Sequence, residues 1–305
     1  MPADTSCITL PGPWEHRLIH ANGAQFHIVS AGQYSDTKPL VVLVHGFPQY
    51  WWAWRHQIEP IAQAGYQVVA IDQRGIGGSD KTPKSEDGLT LSQDLIKIVN
   101  TLGARKAVLV GHGRGGALAW SAVSMAPSLF SGLITFSSPH PRTLQRIGLH
   151  LRLHTWRYAA LTASRLLFKR ALLDEKRIEK MLTDWSAPGN TGASSQAHLY
   201  CQALSLPRAA DVAIDQLRWT YLAQQRPSGR AYLRESAHGI QVPVLSVGGT
   251  LDPLLPARAW DNDREFALGD YRHVSVTQAG HFVPEEAPEQ TTHLILEFLA
   301  QLRVD

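Results

Sequence analysis

The chain has 305 residues, 44% of them hydrophobic and 18% charged, with nine tryptophans, a composition that excludes intrinsic disorder and suits one large α/β domain or a core with an insertion. Its formal charge of +3 comes mostly from Arg142 to Lys180, and with no aromatic stacking platform or groove-reading helix beside it this excess reads as a solvated helix face, not a nucleic-acid surface, with an anionic ligand or a membrane surface as the alternatives. The two cysteines, Cys7 and Cys201, lack the spacing of a disulfide framework or zinc site, no stretch approaches the roughly 18 apolar residues of a membrane span, and Met1-Pro2-Ala3-Asp4-Thr5 is no signal peptide, so a cytoplasmic protein without a transmembrane segment is expected.

In chain order, Ala24 to Ser30 and Pro39 to Val44 read as strands joined by a turn-rich stretch, and Trp52 to Gly65 reads as a helix. Tyr66 to Ile71 is the next β-rich run. Leu91 to Leu102 has Leu91, Leu95, Ile98 and Leu102 at helical spacing. The apolar run from 106 to 110 enters Gly111-His112-Gly113-Arg114-Gly115-Gly116 and then a helix, and a further strand covers Leu133 to Ser137. From Arg142 to about Glu235 the sequence is helical and shows no clear strand. Alternation returns with strands at Pro243 to Val247 and Tyr271 to Thr277 and a closing helix from Glu286 to Leu302. Alternating strands and helices of this kind predict a mostly parallel central sheet flanked by helices, interrupted by one helical insertion. The expected division is a core of residues 1–141 and 236–305 with a helical cap over 142–235.

Four loops carry the candidate chemistry. His45-Gly46-Phe47-Pro48-Gln49 follows a strand, where backbone N–H groups can meet a developing oxyanion, although alone it reads equally as a structural loop. The turn at 111–116 has the small-x-nucleophile-x-small form of a nucleophile elbow, but its middle residue is Gly113, which has no side chain to attack with. Asp252 just past one strand and His281 after the next complete the order nucleophile, acid, base, in which the acid fixes the histidine tautomer and stabilises the imidazolium. The glycines of Asp72-Gln73-Arg74-Gly75-Ile76-Gly77-Gly78-Ser79-Asp80 do not fit a phosphate-binding loop and predict instead a structural turn with a buried Asp-Arg network.

With these motifs in place, the chain resembles the epoxide hydrolase and haloalkane dehalogenase branch of the α/β-hydrolase superfamily over residues 15 to 303. The resemblance rests on His45-Gly46-Phe47-Pro48 with Trp51, Trp54 and Arg55, on the run from Asp72 to Asp80, on Ser138-Pro139-His140-Pro141 at the exit into the cap, and on the elbow. It departs at three points. Gln49 replaces a glutamate. Gly113 stands where the branch has an aspartate that forms an ester with substrate, or where esterase relatives have serine. Leu217, in Asp215-Gln216-Leu217-Arg218, stands where family epoxide hydrolases carry a ring-protonating tyrosine, for which Tyr221, Tyr158 and Tyr200 are candidate substitutes. The resemblance implies catalytic roles for His281 and Asp252 beside the vacant Gly113, an oxyanion hole from the backbone N–H groups of Phe47 and Arg114, and a pocket formed by His45, Trp51, His112, Leu217 and Tyr221. It implies no cofactor and no metal, with a small apolar molecule as ligand.

Two classes of function follow. In one, His281 and Asp252 activate water or abstract a substrate proton, giving hydrolysis or a lyase-type reaction. In the other, a non-catalytic protein keeps the capped pocket for a small ligand, with Phe47, Trp51, Trp52, Trp54 and Trp219 near its mouth. A third reading makes Gly113 a replacement for a native aspartate or serine that traps a ligand. Ser121 and Ser138, the remaining hydroxyls near the elbow, lack its exposure. Retention of both acid and base favours the enzyme, and Arg114 beside the elbow either faces an anionic ligand group or faces solvent.

Overall fold

The computed structural model describes residues 5–83, 87–146, 164–222 and 225–302. Eight strands form one sheet in the order β1-β2-β4-β3-β5-β6-β7-β8. They are β1 (Glu15–Ala21), β2 (Ala24–Ala31), β3 (Leu40–Val44), β4 (Val68–Ile71), β5 (Ala107–His112), β6 (Phe130–Phe136), β7 (Val244–Gly249) and β8 (Tyr271–Val276). The β1–β2 and β2–β4 pairs are antiparallel, and every pair from β4 to β8 is parallel.

β3, β4 and β5 are buried along their whole lengths, which explains their unbroken apolar sequences: helices cover both faces of the parallel part. Val41, Leu43, Val108 and Val110 face one layer with Ile58 of α1 (Arg55–Gln63) and Ile295 and Phe298 of the helix Pro288–Gln301. Val42, Val44, Ala107 and Leu109 face the opposite layer, with Leu91 and Leu95 of α2 (Gly88–Thr101) and Leu118 of α3 (Arg114–Met125).

Between β6 and β7 the described residues form helices Pro141–Arg146, Arg165–Leu172, Glu175–Trp185, Ala197–Ser205, Ala209–Leu222 and Pro227–Glu235, with no strand among them. Phe168, Leu172, Ile178, Leu182 and Tyr200 from this insertion join the layer that holds α1, so insertion and core share one continuous apolar cluster.

The structure adds to the sequence reading at two points. β1 has no counterpart in the sequence reading, because Glu15, His16, Arg17, Leu18 and His20 give it a largely exposed edge without an apolar run. The Asp72 to Asp80 turn holds the expected buried Asp-Arg network, Arg74 on Asp94, and a second network beside it. Asp72 Oδ2 accepts from His27 Nδ1 at 2.8 Å and from the Gly78 N–H, while Arg74 is bound by Asp94 at 2.7 and 2.5 Å.

Candidate active site

The loops that follow β3, β5, β7 and β8 meet at the carboxyl edge of the sheet, where open α/β sheets place their sites. β5 turns into α3 through Gly113, whose φ of 51° and ψ of −119° lie in a region side-chain-bearing residues rarely enter. The turn is tight because strand and helix nearly touch: a Cβ on Gly111 would lie 2.5 Å from the Gly116 Cα. Among the described residues a Cβ on Gly113 would instead meet, within 4 Å, only His281 Nε2, at 3.6 Å, and the Gly46 Cα, at 3.9 Å. The imidazole Nε2 thus lies at ordinary contact distance from the place a Gly113 side chain would take.

Asp252 follows β7, and its carboxylate is fully buried. Oδ2 accepts from His281 Nδ1 at 2.9 Å, and Oδ1 accepts from the backbone N–H groups of Leu254 and Leu255. Three donors on the carboxylate fix its orientation and require the Nδ1–H tautomer of His281. The Nε2 lone pair is left directed at the Gly113 space. His281 is 9% exposed, and its own N–H donates to the Trp185 carbonyl in the insertion at 2.8 Å. Glu286 holds the same loop from behind: Oε2 accepts from the N–H groups of Gly280 and Ala187 and Oε1 from that of Phe282.

Phe47 and Arg114 stand on either side of the space. Neither backbone N–H is taken by another group among the described residues; Arg114 opens α3, where the first N–H groups have no partner within the helix. A pocket beside them is lined by His45, Gly46, Phe47, Ile76, Arg114 and Gln216 among others. Arg114 therefore faces the pocket and not bulk solvent. Its Nη2 donates to Gln73 Oε1 at 2.8 Å and Gln216 Oε1 at 2.5 Å, and burial lowers its pKa to about 10.

The remaining expected pocket residues divide. His45 lines the pocket, but its ring is committed: Nδ1 donates to the Gly46 carbonyl and Nε2 accepts from the Gln73 N–H, and burial lowers its pKa to about 4. His112 lies beneath His281, donating from Nε2 to the His281 carbonyl at 2.8 Å, with its pKa lowered to about 3, chiefly by burial and then by His281. It braces His281 and does not line the described pocket. Trp51 is fully buried away from the pocket, ringed by Trp14, His16, Tyr50 and Trp52, with Nε1 on the Ile8 carbonyl. Leu217 packs half-buried against the apolar core. The Tyr221 side chain and Tyr158 lie outside the described residues. Tyr200 is buried and donates to Glu285 Oε1 at 2.6 Å, so its hydroxyl is committed. Ser121 is likewise buried, on the Ala117 carbonyl and the Ser236 hydroxyl.

The sequence reading passed over Glu285. This fully buried carboxylate takes Arg55 at 2.6 Å and Tyr200 on Oε1 and Gln49 on Oε2, and burial raises its pKa against the pull of Arg55. Its sequence signal was the glutamine at position 49, a carboxamide that can donate to a second carboxylate.

The alpha/beta hydrolase fold family matches residues 39–288, and the chain belongs to that family. Within it the chain falls in the epoxide hydrolase-like branch. It is 31% identical to the AB hydrolase superfamily protein YfhM of Bacillus subtilis over 93% of this chain and 97% of that one. It is 29% identical to Epoxide hydrolase A of Mycobacterium tuberculosis, over 94% and 98% respectively. The crystal structure of Epoxide Hydrolase A from Mycobacterium thermoresistibile superposes with a TM-score of 0.71 at 28% identity, covering 96% of this chain and all of that one.

Proposed function

We propose that the protein hydrolyses a small apolar substrate of the epoxide or ester class, with His281 as general base, Asp252 as its orienting acid, and a water in the space before Gly113 as the attacking group. The observation that supports this most is the Asp252–His281 hydrogen bond of 2.9 Å, which leaves Nε2 facing the position a Gly113 side chain would occupy. The alignment of carboxylate, imidazole and Nε2 toward Gly113 is the one general-base catalysis requires. The N–H groups of Phe47 and Arg114 serve as oxyanion donors in this reading, and glycine at position 113 leaves both in place. Helices of residues 142–235 act as the cap that shapes the pocket.

Loss of the covalent nucleophile lowers the rate without abolishing it, since oxyanion and binding contributions alone retain about 10³–10⁴-fold acceleration in serine hydrolases stripped of their triad. Turnover of an epoxide and ester panel is expected to fall about 100-fold or more in His281→Ala, general-base assistance being worth roughly 10²–10⁴. Equal, negligible rates in the two proteins would overturn the proposal in favour of a binding protein.

A further inference from the structure

We propose that Glu286 is a positioning residue for His281, and that it makes the setting of the base conditional on the insertion being seated against the core. Its effect on rate rests on the general-base reading above; the clamp itself does not.

The loop that carries His281 has no ladder of its own. Residues 279–282 lie in neither helix nor strand, between β8 and the helical turn Val283–Glu286. Three successive N–H groups in this loop all go to acceptors outside it. Those of Gly280 and Phe282 donate to Glu286 at 2.8 Å each, and that of His281 donates to the Trp185 carbonyl at 2.8 Å. Glu286 takes one more donor, the Ala187 N–H, at 2.7 Å. One carboxylate thus grips the loop on both sides of the base and, with the same oxygen that holds Gly280, the insertion two residues past Trp185. The two backbones pack directly there, since a Cβ on Gly280 would collide with the Ala187 nitrogen.

Among the described residues each hydrogen-bonding partner of Glu286 is an N–H donor, so a carboxyl proton would have nothing to donate to and the ionised form fits the site. Burial raises its pKa, and the three N–H groups and then His281 pull against that rise. A charged acceptor holds such donors roughly twice as strongly as a neutral one. Glutamine does not reproduce the grip, because whichever way its amide lies the NH2 group faces at least one of the three N–H groups. With the carboxylate gone, Asp252 still holds the imidazole Nδ1 and Trp185 still accepts the His281 N–H. The residues on either side of His281 are freed, however, and Trp185 loses the tie at Ala187 that seats it. A displacement of about 1 Å at a catalytic group is worth on the order of 100-fold in rate.

The test is Glu286→Gln, read in three ways. Amide hydrogen exchange, followed by NMR on 15N-labelled protein, is expected to quicken at least about tenfold at Ala187, Gly280 and Phe282 together. The His281 Nδ1–H resonance is expected to shift or broaden from its wild-type position. Turnover of the epoxide or ester that the wild type accepts is expected to fall about 10- to 100-fold in kcat, with KM changed by less than about threefold. Unchanged exchange at all three amides overturns the clamp, and exchange quickened at Gly280 and Phe282 but not at Ala187 overturns the link to the insertion. Quickened exchange with the imidazole resonance or kcat unchanged, or a loss confined to KM, overturns the positioning role. Equal, negligible rates in the wild type and His281→Ala overturn the general-base reading instead, and the amide and imidazole signals then decide the clamp alone. Glu286→Asp, which keeps the charge on an arm one methylene shorter, takes the same measurements should the glutamine variant not fold.

Discussion

Gly113 separates two things that usually travel together, room for a side chain and a backbone that tolerates one. The nearest atoms to an added Cβ lie at 3.6 and 3.9 Å, ordinary contact distances, so sterics permit alanine. The backbone at φ 51°, ψ −119° does not welcome it. Gly113→Ala is therefore expected to lower stability by about 1–3 kcal/mol with the neighbouring structure unchanged, as measured by urea unfolding. A serine or aspartate nucleophile here would bear the same strain, which makes its absence a relief to the fold as well as a loss to the chemistry. Gly113, Asp252 and His281 were legible in the sequence because each follows a readable strand end. Glu285 and Glu286 were not: each reads as a solvated acid at a helix start, and only the fold brings Arg55 and Gln49, more than 200 residues earlier, against the first of them.

Among the elements, the exit from β6 into the insertion hangs on one buried acid. Asp263, in the short helical turn Asp263–Glu265, accepts the His140 N–H at 2.9 Å, just ahead of the helix Pro141–Arg146. Burial raises its carboxyl pKa to about 7, against the pull of the His140 N–H and of the Thr143 and Tyr271 hydroxyls. For an acid whose folded pKa is raised, the unfolded chain releases its proton first as pH climbs from about 4, so stability is lost between about pH 4 and pH 7. Asp263→Asn keeps the acceptor for His140 and removes the charge. It is expected to be more stable than the wild type at about pH 8, by on the order of 2 kcal/mol, and nearly equal at about pH 4, as read from denaturant melts at the two values. The parallel strands and amphipathic helices around this joint were legible because burial on both faces, or on one helical stripe, leaves its mark on the sequence. β1 left none, since an exposed edge strand is held by its ladder to β2 and by few apolar side chains.

Across the whole molecule, Glu285 is one of the points where core and insertion are fastened, beside Glu286 and the His281–Trp185 hydrogen bond. Arg55 comes from α1, Gln49 from the loop after β3, and Tyr200 from the helix Ala197–Ser205. Removing the carboxylate strands a largely buried guanidinium, and Glu285→Ala is expected to cost about 3–5 kcal/mol. Tyr200→Phe leaves that pair intact and is expected to cost only about 1–3 kcal/mol in global stability. Urea unfolding of the two variants measures both. The composition and motif order had indicated a helical insertion over an α/β core, but not where the two are joined, because that joint is made by isolated polar residues with no periodic signature. Its position also governs traffic. An insertion pinned through Tyr200, and again through Trp185 and Ala187, cannot lift away from His281 without breaking hydrogen bonds on both flanks of the site.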